Sequence, residues 1–495
     1  MKFTRLQIDL IAVCLLVLVS FGLYANSLSG DFLIDDYSVI VGNENLRDVK
    51  SYFSQHFKIR PICLIELINL FIWNTSGGSP FYFHLFNVFN HIGCVILIFI
   101  LCNILFKNRA LSILTSLIFA VHPIHTEAIS WISGGHYALS SLFFIASFIF
   151  YVKSDESVAN LIISVLFFAF CFLAGTSVVA LPIMFVLYDI FFREKHKQSS
   201  QLKRLRMLVL LAIFAMALMF VATFIFNKNQ FLHLIFYFRG FSYLIVVTKA
   251  FAYYLKILYM PLARGLYHPF AYNTLDIQKI SPVFFGALII LAISITAFFK
   301  CRKNYKPVAF GIMWFFVAYA QYSNVIPICN IVSERYMYLS SLGFAIIMAF
   351  LFLKVWGIIN KSEKYRKILR AAAISALILF LASYSALTMK RNYDYHDIMS
   401  YWQSNINNFK DGYMVYNNLA GTFYAMGDSG NAIAYCWINL LINPNQPHVW
   451  CNLGKVYREK GDFNQARDCY NKALLCDKSY FPAIKALEEM SQNEQ

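Results

Sequence analysis

The feature that most constrains this chain is a run of about 20 mostly apolar residues that recurs along it. The runs are repeatedly closed by short loops rich in Lys and Arg. A helix of that length crosses the hydrocarbon of a bilayer, and within lipid only helices and closed barrels satisfy their own backbone polar groups. The runs centre on residues 8–25, 86–106, 110–125, 137–153, 159–174, 177–192, 207–226, 282–300, 307–322, 336–356 and 368–388, about eleven spans. Only 14% of the 495 residues are charged and 59% are hydrophobic, where a soluble domain carries roughly 25% charged residues. The expected fold is all-α, a polytopic membrane helix bundle. The first run, Ile8 to Tyr24, follows Lys2 and Arg5 as in a signal peptide. It lacks a small-x-small cleavage site and reads as a retained helix.

The net charge is +16. Because the basic residues sit in loops between apolar runs, the positive-inside rule accounts for the excess. With no folded motif to read bases, nucleic acid is not an expected partner. Three basic loops, 193–206, 300–306 and 360–367, are expected on the cytoplasmic side. Each interval between them then holds an even number of crossings. Spans 207–226 and 282–300 already supply two, so 231–262 is expected to lie in the interface or re-enter. The same count puts the loop after the first span, the loop near His122 to His136, the loop from Asn324 to Arg335 and everything beyond residue 388 on the non-cytoplasmic face. The first outer loop, 26–85, contains Pro61 to Trp73, too short to span and readable as a helix in the membrane plane.

Beyond residue 390 charge and Asn content rise and a repeat appears. Trp450, Leu453, Gly454, Tyr457, Gly461, Ala466, Tyr470 and Ala473 fall at the tetratricopeptide positions of a unit of roughly 34 residues. Tyr416, Leu419, Ala420, Phe423, Gly427, Ala432, Cys436 and Asn439 repeat them one unit earlier, with Pro444 near that unit's end. The expected division is a membrane domain over 1–390 and a repeat domain over 391–495. Repeats would occupy about 413–446 and 447–480, flanked by cap helices near 395–409 and 481–490. Such solenoids bind peptides or mediate assembly. Of the 11 cysteines, Cys436, Cys451, Cys469 and Cys476 are candidates for pairing if this domain faces an oxidising compartment.

The chemistry-bearing candidates gather in the outer loops. Asp35 and Asp36 stand a few residues past the first span, where one carboxylate can accept a proton while the other orients it or holds a cation; a solvated acidic turn is the alternative. His84, Asn87 and His91 share one helix face at the start of a span, suited to a structural network or to contact with phosphate or sugar. His122, His125 and Glu127 (HPIHTE) read as a polar lining or as metal ligands, although Pro123 interrupts them. Arg60 and Arg335 offer guanidinium groups suited to phosphate, with Glu334 beside Arg335 as an ion-pair partner. A divalent metal is possible but not indicated.

Taken together these stretches resemble the transmembrane and tetratricopeptide-repeat-containing protein O-mannosyltransferases and their bacterial relatives. The similarity runs in order through NSLSGDFLIDDYSVIVGNENL, RPICLIELIN, GGSPFYFHLFNVFNH, FAVHPIHTEAISWISG, NVIPICNIVSERYMYLSSLGF and RNYDYHDIMSYW. The resemblance implies a membrane bundle of GT-C type and an inverting glycosyltransferase using a polyprenyl-phosphate-linked sugar on the non-cytoplasmic face. It implies a first-loop carboxylate, Asp35 or Asp36, as base, basic groups on the leaving phosphate, and repeats that present an acceptor protein. A silent scaffold, or an enzyme acting on a glycan or lipid, is the alternative. The expected setting is a bacterial inner membrane rather than the endoplasmic reticulum. Where relatives often carry Lys-Glu before the Pro of the sixth span, this chain has Gly175 and Thr176. Where they often carry a basic residue and Asp after HPxHxE, it has His136 and Tyr137, and His136 is a candidate substitute for the basic contact.

Overall fold

A computed structural model describes residues 4–50, 52, 64–193, 205–210, 212–214, 241–261, 277–325, 328, 331–361, 363, 365–408 and 413–492. Arg60 and most of the proposed 207–226 span lie outside them. The chain divides into two compact units. One comprises Met1–Ala263 and Tyr272–Asp397, and the other contains Ile398–Gln495.

Helices of the first unit are α1 (Arg5–Tyr24), α2 (Leu64–Ser76), α3 (Pro80–Phe106), α4 (Arg109–Val121), α5 (Thr126–Ser130), α6 (His136–Val152), α7 (Val158–Ala174) and α8 (Ala180–Phe191). They continue as α9 (Phe241–Tyr259), α10 (Ile277–Asn304), α11 (Lys306–Ala320), α12 (Ser341–Ile359) and α13 (Arg366–Asn392). Among the described residues six helices are long and apolar enough to cross a membrane, or seven if the bent pair at Pro123 is one span. The expected eleven include shorter apolar helices such as Val158–Ala174 and Lys306–Ala320.

Local chemistry sets the helix ends. Thr4 caps α1 through a reciprocal pair, its hydroxyl accepting from Gln7 N at 3.3 Å and Gln7 Oε1 accepting from Thr4 N at 2.8 Å. Asn108 Oδ1 accepts from Leu111 N at 3.1 Å to open α4. That helix stops where Pro123 disfavours helical geometry at His122, and the chain bends by 54°. Helices α11 and α12 cross at Gly311 and Gly343, where a Cβ on Gly311 would meet the Gly343 carbonyl at 2.8 Å.

Two features of the first unit differ from, or refine, the sequence expectation. The 231–262 stretch is expected to lie in the interface or re-enter, and within it Phe241–Tyr259 is a helix packed into the bundle. Ala250, Tyr254, Ile257 and Leu258 are buried, and Phe251 and Tyr254 lie against Tyr319 of α11, with ring centroids 5.6 and 5.7 Å apart. The short loop helix α2 rests on an apolar cluster of Ile40, Leu46, Tyr52, Leu70, Ile72, Phe83 and Ile132. The Arg47 guanidinium covers Trp73 at 3.6 Å.

In the second unit, α14 (Ile398–Asn408) precedes α15 (Tyr413–Ala425), α16 (Ser429–Ile442), α17 (Pro447–Glu459), α18 (Phe463–Cys476) and α19 (Phe481–Gln492). These are two helix pairs with a helix before and after. Asp428 and Asp462 cap α16 and α18 alike, each accepting from the backbone N–H three residues on, at 3.0 and 3.1 Å. Cys436, Cys451, Cys469 and Cys476 are all free thiols. The first three lie in the packed core between helices.

Candidate functional site

Asp35 and Asp36 are adjacent but occupy opposite environments. Asp36 is fully buried. Its Oδ2 accepts from Leu33 N at 2.8 Å, and its Oδ1 accepts from both Ser133 N, at 2.8 Å, and the Ser133 hydroxyl. Asp35 is exposed, and its backbone carbonyl receives the Ser38 hydroxyl at 3.0 Å. Ile34, just before the pair, has φ 29°. A β-branched residue rarely adopts that backbone, and strain of about 1–3 kcal/mol is held by the surrounding bonds. The loop therefore aims one carboxylate inward as an anchor and leaves the next at the surface.

Burial pushes the Asp36 carboxyl up to about 6 against the lowering effect of its hydrogen bonds from Ser133 and Leu33. Glu334 is pushed up to about 7 by burial, opposed by Arg391.

From Ser133 the site continues through the loop before α6. His136 Nδ1 donates to Ser133 O at 2.8 Å, and its ring lies 4.1 Å from that of Tyr137. The Arg335 guanidinium sits over Trp131 at 4.8 Å and over Tyr137 and Tyr336 at 5.7 Å. Glu127 fixes it twice, Oε1 accepting from Arg335 Nη1 at 2.7 Å and Oε2 from Arg335 N at 3.0 Å. The Ser333 hydroxyl donates to the same Oε1 at 2.7 Å. Among the described residues Arg335 Nε is buried without a hydrogen-bond partner, and the side chain keeps 12% exposure. Asp35, Asp36, His136, Glu127 and Arg335 thus gather at one pole of the bundle.

Glu334 turns the other way and pairs with Arg391 in a buried ion pair. Asn392 next to it donates to Leu23 O at 2.8 Å, and its Oδ1 accepts from Ser130 at 2.9 Å, tying the ends of α1, α5 and α13. His84 is buried against Gly30, where an added Cβ would stand 3.0 Å from the histidine Nε2. His91, His122 and His125 are buried and engaged within the bundle. They bond Tyr338 at 2.8 Å, Leu258 O at 3.0 Å and Ser341 at 2.8 Å. The structure does not bring these three to the Asp35 surface. No group of three or more His, Cys, Asp or Glu among the described residues is arranged to hold a metal ion.

Sequence reasoning missed Ser133, Tyr336 and Arg391. Arg391 alone left a signal, as a basic residue closing an apolar span. Gly175, at the position of the absent Lys-Glu, would place a Cβ 3.6 Å from His136 Cδ2, so His136 borders that gap.

A tetratricopeptide repeat family profile matches residues 447–480. Across 544 aligned residues the chain is 24% identical to human protein O-mannosyl-transferase TMTC3, covering 98% of this chain. The likeness is to the protein O-mannosyl-transferases. Mouse protein O-mannosyl-transferase TMTC1 is 34% identical over 156 residues, 28% of this chain and 16% of its own. Protein O-mannosyl-transferase F38B6.6 of Caenorhabditis elegans is 24% identical over 506 residues, 94% of this chain and 63% of its own. The chain spans 57% of the length of human TMTC3.

Proposed function

We propose that this chain is an integral-membrane glycosyltransferase that moves a sugar from a polyprenyl-phosphate donor to a protein hydroxyl, with inversion, on the non-cytoplasmic face. The observation that carries this reading is the division of labour at Asp35 and Asp36. An exposed carboxylate stands beside one immobilised by three hydrogen bonds, at the same pole as Arg335. The names of the similar proteins suggest mannose as the sugar.

In the reaction the Asp35 carboxylate takes the proton of the acceptor hydroxyl as its oxygen attacks the anomeric carbon from the face opposite the phosphate. The bond from that carbon to the phosphate oxygen breaks, and the electron pair leaves with the polyprenyl phosphate. Arg335 is a cation at this pole suited to the departing charge, because a guanidinium meets phosphate oxygens in a fork. Asp36 positions Asp35. The repeats present the acceptor chain. A bacterial inner membrane is the proposed setting, although the relatives named above are animal proteins.

The test is transfer by the purified chain, given polyprenyl-phosphate mannose and Ser/Thr-bearing peptides, with Asp35→Asn as the paired variant. Product from the wild type and its loss by at least about 100-fold in Asp35→Asn is expected for a general base. Equal product from both overturns the assignment. Donor binding without transfer by the wild type would favour the silent scaffold, to which Gly175 at the Lys-Glu position lends support.

A further inference from the structure

The pole opposite the aspartates holds a cavity of about 720 Å³ between α1, α3 and the start of α4. Its rim carries four cations, Arg5, Lys107, Arg109 and Lys153, and one carboxylate, Asp9. That carboxylate is consumed by Arg109, which contacts it at 2.8 and 2.9 Å through Nε and Nη2 and also donates to Arg5 O at 3.0 Å. Arg5, Lys107 and Lys153 have no carboxylate partner among the described residues. Elsewhere in the same unit comparable cations are paired, Arg193 with Asp155 and Asp189 at 2.7 and 2.5 Å and Arg206 with Asp155 at 2.8 Å. The basic segment around Lys300 and Lys303 likewise shows no carboxylate partner among the described residues, so what sets the cavity apart is that its cations line one enclosed space beside an apolar wall.

The rest of the cavity is apolar. Leu6 and Leu10 of α1 form one wall and are 69% and 56% exposed, with Ile100 of α3 opposite. Lys107 is set on the rim by a left-handed turn, φ 51°, which closes α3 and lets α4 begin two residues later. A cationic rim above an aliphatic wall, at the end of membrane helices, fits an amphiphile with an anionic head and a hydrocarbon tail. A free phosphate would meet the rim and leave the wall uncovered, and a zwitterionic lipid would bring no net charge to it.

We propose that this cavity binds one anionic phospholipid, its phosphate among Arg5, Lys107 and Lys153 and an acyl chain along Leu6 and Leu10. The site lies apart from the proposed transfer site and does not depend on that reaction.

The test uses the purified full chain in phosphatidylcholine nanodiscs with and without phosphatidylglycerol, with retained lipid counted by native mass spectrometry and unfolding followed by thermal scan. The wild type should retain phosphatidylglycerol over phosphatidylcholine and unfold at higher temperature in its presence. Lys107→Gln with Lys153→Gln should weaken that preference by about five-fold per lysine, roughly 25-fold together. Lys300→Gln with Lys303→Gln removes the same charge from another basic segment and should leave the preference intact. Leu10→Trp, which fills the wall without changing charge, should reduce retention as well. An equal loss in both lysine pairs would mean diffuse membrane electrostatics and overturn the site, as would unchanged retention in Lys107→Gln/Lys153→Gln. Displacement of phosphatidylglycerol by inorganic phosphate would show a free-anion site and overturn the lipid.

Discussion

Asp36 and Ser133 are 97 positions apart, yet the backbone N–H and the hydroxyl of Ser133 both donate to a single Asp36 carboxylate oxygen. This bridge ties the loop after α1 to the loop that carries His136 and leads to Arg335. Ser133→Ala removes the hydroxyl and spares the N–H. The loss of one charge-assisted bond to a buried carboxylate is expected to cost about 1.5–3 kcal/mol. Apparent unfolding temperature in detergent should fall, and Ser133→Thr should recover most of the difference. A Ser133→Ala protein as stable as the wild type would show that the backbone bond alone holds the loop.

The same carboxylate gives a pH dependence of definite sign. Asp36 is raised from 3.8 to about 6 in the folded state, burial being the largest cause. Between those values the folded protein binds the proton more tightly than the unfolded chain. The stabilising contribution is complete below 3.8 and is lost as pH rises through about 6. Asp36→Asn lacks this titration, so the stability difference between wild type and variant should shift against the wild type across that window. Glu334, raised to about 7, is present in both proteins and cancels from the difference. Parallel stability curves for the two proteins would contradict the shift.

The spans and repeats were legible in the sequence because periodicity carries them. Twenty apolar residues or a Trp–Leu–Gly–Tyr spacing needs no knowledge of what lies opposite. The aspartate pair was visible as two rare acids after a span, and Glu127 and Arg335 as charges in outer loops. That they join each other was not visible, nor that Glu334 instead pairs with Arg391, since neighbouring charges give no hint of which way each side chain turns. Ser133 was invisible because it works partly through a backbone N–H that every residue but proline has. The histidines left two readings open, a structural network or a substrate lining. His91, His122 and His125 look functional as isolated polar residues, but each bonds a hydroxyl or carbonyl inside the packed bundle.

Glu127 and Arg335 should behave as a coupled pair. Arg335→Gln leaves the Glu127 carboxylate buried without its guanidinium, a change expected to cost about 3–5 kcal/mol. Glu127→Gln in the same protein removes the stranded charge, so the double variant should be more stable than the two single effects predict. A coupling of about 0.5–3 kcal/mol from thermal or denaturant unfolding is expected. Arg335→Lys keeps the charge but loses the fork and the planar face over Trp131, and its transfer activity should fall more than its stability. Strict additivity would mean that the two residues act independently despite their 2.7 Å contact.

Within the repeats, size is matched across each helix pair. Gly454 of α17 faces Tyr470 of α18, and the corresponding positions of the preceding unit are Ala420 and Cys436. The larger partner is met by the smaller residue. A Cβ at Gly454 would stand 2.7 Å from the Tyr470 ring, inside van der Waals contact. Gly454→Ala is therefore expected to destabilise the unit by about 1–3 kcal/mol through overpacking, more than the helix propensity gained. Gly421→Ala provides the contrast. That glycine is also helical, but nothing lies within 4 Å of its added Cβ, so the substitution should stabilise by about 0.5–1 kcal/mol. Limited proteolysis of the full chain, scored for cuts within 413–492, should run faster for Gly454→Ala and slower for Gly421→Ala. Adding Tyr470→Cys to Gly454→Ala recreates the Ala–Cys pairing of the earlier unit, and the combined loss should be smaller than the sum of the single losses. If both alanine variants shifted cleavage in the same direction, backbone propensity rather than the Gly454–Tyr470 contact would govern these helices.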